Sequence, residues 1–418
     1  MASVIFFIVF LFNFCILTIN GDKLVYVHAL WRHGDRAPEK IPYPNDIYTE
    51  DYWPRGYAML TNLGMNQLHE LGTFFRNRYA NTGFVNKTYN YKEVFVRSTD
   101  APRALSSAQA FLNGMFPPEN DELWQAGLNW QPIPVHSTTP GDPDPLLRPT
   151  DFDCPKYEDL WDDIKKSINK EIEKKYDPVL TLLATSTGIG NDLTVKKASK
   201  LVDITREVAH NLSQPEWITR RWPEYNNNST LDIITEIYRI RRIALFDDKK
   251  LARLRGGYVL NDVLKRLLNA SNGIFDEANK MLLYSTHDGT LLGLMYAMGV
   301  GDYQLIPYAS ALIFELHQDN NGLYYVQILY RKNGELQTID IPDCGTKCEV
   351  RKLVSLFSSM TIPTEKKLYK ECGTKHDDDD DDIRLSPKFQ QLNPPQNAGF
   401  SMTINFALMF LTILYLCI

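Results

Sequence analysis

The stretch that most restricts the fold is residues 23–38, KLVYVHALWRHGDRAP. Residues 24–31 are a mostly apolar run of strand length, rich in Val and Tyr, which then breaks into Arg32-His33-Gly34-Asp35-Arg36. A buried strand that delivers a histidine between two arginines at its carboxyl end belongs in an open α/β sheet, where ligands bind at that edge. Gly34 lets the backbone turn tightly beside the ring, where a Cβ would clash. Arg32 and Arg36 can fork onto the oxygens of a phosphate. The stretch reads as a phosphate-handling site.

Two further strand candidates end in the same way. Residues 91–96 (YKEVFV) run into Arg97-Ser98-Thr99-Asp100, with Asp100 expected as the N-cap of a helix and Pro102 in its first turn. Residues 281–285 (MLLYS) run into Thr286-His287-Asp288-Gly289-Thr290. Leu60, Leu63, Leu68, Leu71 and Phe75 recur at helical spacing, so that helix packs one face on the sheet. Residues 311–317 and 323–331 alternate and are joined by Asp319-Asn320-Asn321-Gly322, a hairpin signal. The fold class is therefore α/β, a mixed central β-sheet flanked by helices, with its core in residues 22–118 and 255–372. Across residues 119–254 the strand signals fade. Leu160, Ile164, Ile168 and Ile172 form one helical stripe, Leu201, Val208 and Leu212 another, and residues 231–245 a third helix. This insertion is expected to be a smaller, mostly helical cap domain over the site.

The three strand ends should converge at one sheet edge, and their chemistry suits a phosphate monoester. Its transition state is loose, so catalysis is mostly positioning and electrostatics. Arg32, Arg36 and Arg97 supply the field and His287 a further hydrogen bond. His33 is the candidate nucleophile, forming a phosphohistidine, and its cationic neighbours should keep the imidazole neutral in acid. Asp288 is the candidate general acid for the leaving alkoxide and could help activate water in the second step. No sequence pattern calls for a metal or other cofactor. A net charge of −6 argues against nucleic acid as a partner. A non-catalytic surface glycoprotein that retains the fold is the bland alternative, and the full set of ionisable groups speaks against it.

The chain ends point to the secretory route. Residues 1–21 read as a signal peptide. Cys154, Cys344, Cys348 and Cys372 then form an even set that permits three disulfide connectivities. Sequons at Asn86, Asn211, Asn227, Asn228 and Asn269 fit glycosylation. Residues 373–397, with six consecutive aspartates, read as a solvated acidic stalk. Residues 398–418 carry no charge and read as a GPI signal or a transmembrane anchor at the extracellular face of the plasma membrane. A lysosomal or freely secreted protein is the other destination.

RHGDRAP at residues 32–38 resembles the signature of the histidine acid phosphatases, and His287-Asp288 matches their second motif. Likeness extends through WQPIPVH at residues 130–136 and covers roughly residues 23–372, on the prostatic and lysosomal branch. The resemblance implies the histidine phosphatase (phosphoglycerate mutase-like) core and phosphorylation of His33. It also implies phosphate binding by Arg32, Arg36, Arg97 and His287, and proton donation by Asp288. Disulfides Cys154–Cys372 and Cys344–Cys348 follow from it too, as does a homodimer. Expected substrates are small phosphate monoesters or phosphorylated proteins. A phytase-like inositol polyphosphate phosphatase is the runner-up and would place lysines around the pocket mouth. Two departures from the family pattern stand out: the helical insertion lacks a cysteine pair, and Gly289 stands where many relatives carry Thr.

Overall fold

The computed structural model describes residues 21–374. The leader, the acidic stalk beyond residue 374 and the apolar tail lie outside the described residues.

Nine strands are present among the described residues: β1 Lys23–Arg32, β2 Val94–Ser98, β3 Arg221–Trp222, β4 Asn228–Ser229, β5 Met281–Thr286, β6 Ala311–Gln318, β7 Tyr324–Lys332, β8 Glu335–Thr338 and β9 Cys348–Glu349. Seven of them form one sheet in the order β2-β5-β1-β6-β7-β8, with β9 also on β7. β1 lies at its centre, parallel to β5 from Val27↔Met281 to Arg32↔Thr286, and antiparallel to β6. β2 runs parallel to β5 on the other side. Because β1, β2 and β5 are parallel neighbours, their carboxyl ends come out at one edge.

The apolar run in β1 follows from burial on both faces. Val27, Ala29 and Trp31 enter one core cluster, while Tyr26 and Leu30 enter the other. On the first face lie α1 Asn62–Phe75 and α2 Pro102–Met115, through Leu68, Leu71, Phe75, Phe111 and Met115. Trp31 stacks on Phe111 at 4.3 Å between ring centroids, so the strand that carries His33 and the helix after β2 share one packing unit.

The intervening helices are α3 Pro155–Ser186, α4 Val195–Lys200, α5 Ile204–Ala209, α6 Glu216–Thr219 and α7 Thr230–Ala244. They bury a core of their own, with Ile172, Val179, Leu183, Ile233 and Ile237 among its members. α7 opens with a reciprocal capping box between Ser229 and Asp232. α3 kinks at Tyr176, two residues before Pro178, which has no N–H to give the preceding turn. α8 Lys249–Ser271 and α9 Asp288–Ala297 cover the second sheet face, joined by α10 Val350–Phe357. α11 Glu365–Cys372 closes the described chain. The disulfide Cys154–Cys372 ties the start of α3 to α11, and Cys344–Cys348 closes a tight loop.

Several details differ from the sequence reading. Asp100 does not cap α2: the N–H of Thr99 still donates to Ser285 at the sheet edge, so the helix starts later, with Ala101 as N-cap and Pro102 first. α8 runs unbroken through the expected boundary at residues 254/255. Leu63 and Val208 point to solvent rather than joining their stripes. The short strands β3, β4, β8 and β9 were not expected, since two to four residues carry too little alternation to read.

Candidate active site

His33 leaves β1 at the sheet edge and is almost wholly buried. Its Nδ1 lies 2.8 Å from the Gly34 carbonyl, to which it can only donate. That fixes the tautomer and leaves the lone pair on Nε2, which accepts from Arg103 Nε at 3.2 Å. Gly34 is required by its neighbour α1: a Cβ there would come within 2.3 Å of the Gly64 carbonyl oxygen. Asp35 turns away from the site. Its carboxylate accepts from Thr61 Oγ1 at 2.6 Å and pairs with His210 Nε2 at 2.7 Å, anchoring the loop to α1 and to the helical insertion.

A cavity of about 260 Å³ opens over His33. Six arginines line it: Arg32, Arg36, Arg103, Arg148, Arg206 and Arg242. His287 and Asp288, at the end of β5 and the start of α9, complete the floor. The Arg32 guanidinium lies 4.0 Å over the Tyr308 ring and donates from Nη1 to the Ile306 carbonyl. Arg36 donates to the Ala37 carbonyl at 2.8 Å and to Glu39 Oε1 at 3.1 Å. His287 Nε2 meets Thr99 Oγ1 at 3.0 Å, and Arg242 Nε donates to Asp288 Oδ2 at 3.0 Å. Two larger cavities, about 410 Å³ and about 280 Å³, gather at most one arginine each.

Burial, then the charges of His287, Arg32 and Arg103, hold His33 well below the usual imidazole range despite the Gly34 hydrogen bond. Burial, then Arg103, Arg148 and Arg32, does the same for His287. Burial pushes Asp288 upward, but the charges of Arg242 and Arg32 outweigh it and hold the carboxyl well below its ordinary range. Burial and the nearby Arg36 pull Arg103 down to about 10. The arrangement is a neutral imidazole and a carboxylate inside a strongly cationic pocket.

Of the sequence-selected residues, Arg32, His33, Arg36, His287 and Asp288 meet in this cavity. Arg97 does not. It shares the β2 face of Phe95, on the side of Tyr284 and α8, and forms an ion pair with Asp144 at 3.0 Å. Strand alternation turns it to the wrong side of the sheet. Arg103, in the first turn of α2, occupies the place assigned to Arg97 and was not among the residues selected from the sequence. The available signal was its position: the first turn of a helix that follows a parallel strand overlooks the ligand edge. Arg148, Arg206 and Arg242 come from separate parts of residues 119–254 and carry no local signal. Asn86, Asn211, Asn227 and Asn228 are exposed and Asn269 is half-buried.

The family model of the histidine phosphatase superfamily (branch 2) matches residues 23–331. The chain belongs to that superfamily. It is 35% identical over 352 residues to the prostatic acid phosphatase of Rattus norvegicus, covering 83% of this chain and 88% of that one. It is 34% identical over 352 residues to the lysosomal acid phosphatase of Xenopus laevis, covering 81% and 77%. Among solved structures, the phytase from Citrobacter braakii superposes with a TM-score of 0.61 at 18% identity, covering 84% of this chain and 99% of that one. At that identity the likeness shows the fold: the sheet and its flanking helices are those of a histidine phosphatase.

Proposed function

We propose that this protein is an acid phosphatase that hydrolyses phosphate monoesters through a phosphohistidine at His33. The observation that carries the reading is the His33 tautomer: Nδ1 is committed to Gly34, so Nε2 presents its lone pair in a cavity lined by six arginines. A phosphoryl group bound there meets Arg32, Arg36 and Arg103 at its equatorial oxygens, with His287 as a further donor. Arg103 already touches Nε2 and would move onto the phosphate as it binds. Nε2 attacks phosphorus, the ester P–O bond breaks, and its electron pair leaves on the ester oxygen, which Asp288 can protonate. In the second step water attacks phosphorus, the P–N bond returns its electrons to Nε2, and Asp288 takes the water proton. Burial and neighbouring arginines keep His33 unprotonated in acid, which suits an acid-working nucleophile.

The acid phosphatase names of the relatives at about 34% identity support this reading. The phytase-like alternative called for lysines at the pocket, and none lines this cavity. The helical segment supplies Arg148, Arg206 and Arg242, so it is the part expected to choose among leaving groups. We place the protein on the secretory route with glycans on its sequons, held at the cell surface by its apolar tail, and dimeric. Among the described residues no helix is long and apolar enough to cross a membrane. Release by phosphatidylinositol-specific phospholipase C would assign a GPI anchor, retention a spanning segment.

The test is hydrolysis of p-nitrophenyl phosphate by the purified protein from acid to alkaline pH, with EDTA and tartrate controls. Metal-independent turnover in acid, abolished in folded His33→Ala, is expected. A folded wild type that turns over no monoester would move the weight to a binding protein.

A further inference from the structure

In the phosphohistidine reading Asp288 is the group that gives a proton to a poor leaving group, and it is held by an arginine from the helical segment. Arg242 rises from α7, in the helical segment, and donates from Nε to Asp288 Oδ2 at 3.0 Å, with both side chains more than four-fifths buried. The space it occupies exists because residue 289 is glycine: a Cβ there would lie 2.8 Å from Arg242 Nη2 and 3.1 Å from Thr150 Cγ2. Asp288 is also the first residue of α9, where the helix N-terminus favours a negative charge. The other charged or titratable groups facing it are Tyr238 on α7, Arg32 and His33 at the end of β1, Arg103 on α2, and the neighbouring His287. Every cation in this set favours the carboxylate over the acid.

We infer that Arg242, seated on Gly289, clamps Asp288 in an ion pair and thereby directs this site to phosphate monoesters whose leaving group departs without a proton, aryl phosphates over alkyl phosphates. The inference rests on the His33 phosphohistidine reading. When Nε2 attacks an aryl phosphate, the P–O electron pair leaves on a phenolate, which the solvent protonates later. When it attacks an alkyl phosphate, the pair leaves on an alkoxide that needs the Asp288 proton as the bond breaks, and the clamp keeps the protonated acid scarce. The same carboxylate is ready to take the water proton in the second step, so the clamp burdens only formation of the phosphoenzyme from alkyl esters. Arg242 acts through Asp288 and is a positioning residue.

The experiment compares kcat/KM for phenyl phosphate and glycerol phosphate in the purified full-length wild type, Arg242→Met, Arg242→Lys and Gly289→Ala. Gly289→Ala meets no backbone atom, only the far end of the Arg242 side chain and, less closely, the Thr150 side chain, so it holds the fold if Arg242→Met does not. The aryl-to-alkyl ratio should fall about tenfold in Arg242→Met and Gly289→Ala, the change one pKa unit at Asp288 produces. Arg242→Lys should stay near the wild-type ratio. An unchanged ratio in folded Gly289→Ala overturns the inference. So does an equal loss on both esters in Arg242→Met, which would make Arg242 a phosphate ligand. Full activity in His33→Ala would instead sink the underlying phosphohistidine reading, an outcome the two ester arms do not produce.

Discussion

Two ionic clusters lie along the same strands and are built to opposite ends. At Glu315, level with Val27 of β1, a single carboxylate is saturated. Arg78 donates to both its oxygens at 2.6 and 3.0 Å, Tyr79 at 2.6 Å, and His317 lies 3.1 Å away. Burial pushes that carboxyl upward, but the hydrogen bonds from His317, Arg78 and Tyr79 bring it down to about 2. At the carboxyl edge of β1 the balance is reversed. Six arginines face Glu39, Asp151 and Asp288, and the buried Nε atoms of Arg32 and Arg206 have no hydrogen-bond partner among the described residues. A closed network holds the fold and has nothing left to bind. An open cationic surplus is stable only as a place for an anion, because buried like charges raise one another's energy.

The contrast breaks most sharply at His33. His33→Ala should lower kcat/KM by on the order of 10⁴-fold or more, with near-UV circular dichroism and urea midpoint close to wild type. Arg103→Ala should cost about 10²–10³-fold in kcat/KM, whereas Arg97→Ala, which loses only its Asp144 pair, should keep wild-type turnover and give up some stability. Steady-state kinetics on the two variants side by side separates the arginine that faces the cavity from the one that does not. In the closed cluster the effect moves from rate to stability. Arg78→Ala leaves Glu315 partly unsatisfied and should lower the free energy of unfolding by about 1–3 kcal/mol, read from urea denaturation, with kcat/KM unchanged.

The smallest expected effect concerns pH. Glu207 is buried beside Asp46, and burial followed by the nearness of that second carboxylate raises its carboxyl to about 8 from an ordinary 4.5. Between those values the folded chain keeps a proton the unfolded chain has lost, so stability present in acid drains away as pH rises through the window. Glu207→Gln should flatten the fall in melting temperature between about pH 5 and pH 8, measured by scanning calorimetry.

Much of the sheet was legible because β1, β5, β6 and β7 are long enough to show burial on two faces or alternation. Residues 32–36 and 287–288 were legible because each follows a strand directly, so chain order alone places them at the edge. The Arg97 assignment failed for a local reason. Being at a strand end does not say which face a side chain takes, and the alternation that buries Val96 sends Arg97 to the α8 side. Arg148, Arg206 and Arg242 were out of reach, since they meet only after α3 to α7 have packed. Glu315 was equally invisible: its partners Arg78 and Tyr79 lie more than 230 residues earlier, in the helical turn Arg76–Ala80 after α1, and meet it only once that turn has packed on the sheet.

The measurement that tests the central claim most directly is a rapid alkaline quench of the wild type turning over phenyl phosphate, followed by peptide mass spectrometry. One phosphoryl group on the peptide that contains His33, localised to the imidazole and absent in His33→Ala, is the predicted result. Phosphate on any other side chain, or an unmodified His33 peptide during steady turnover under conditions that preserve phosphohistidine, would contradict it.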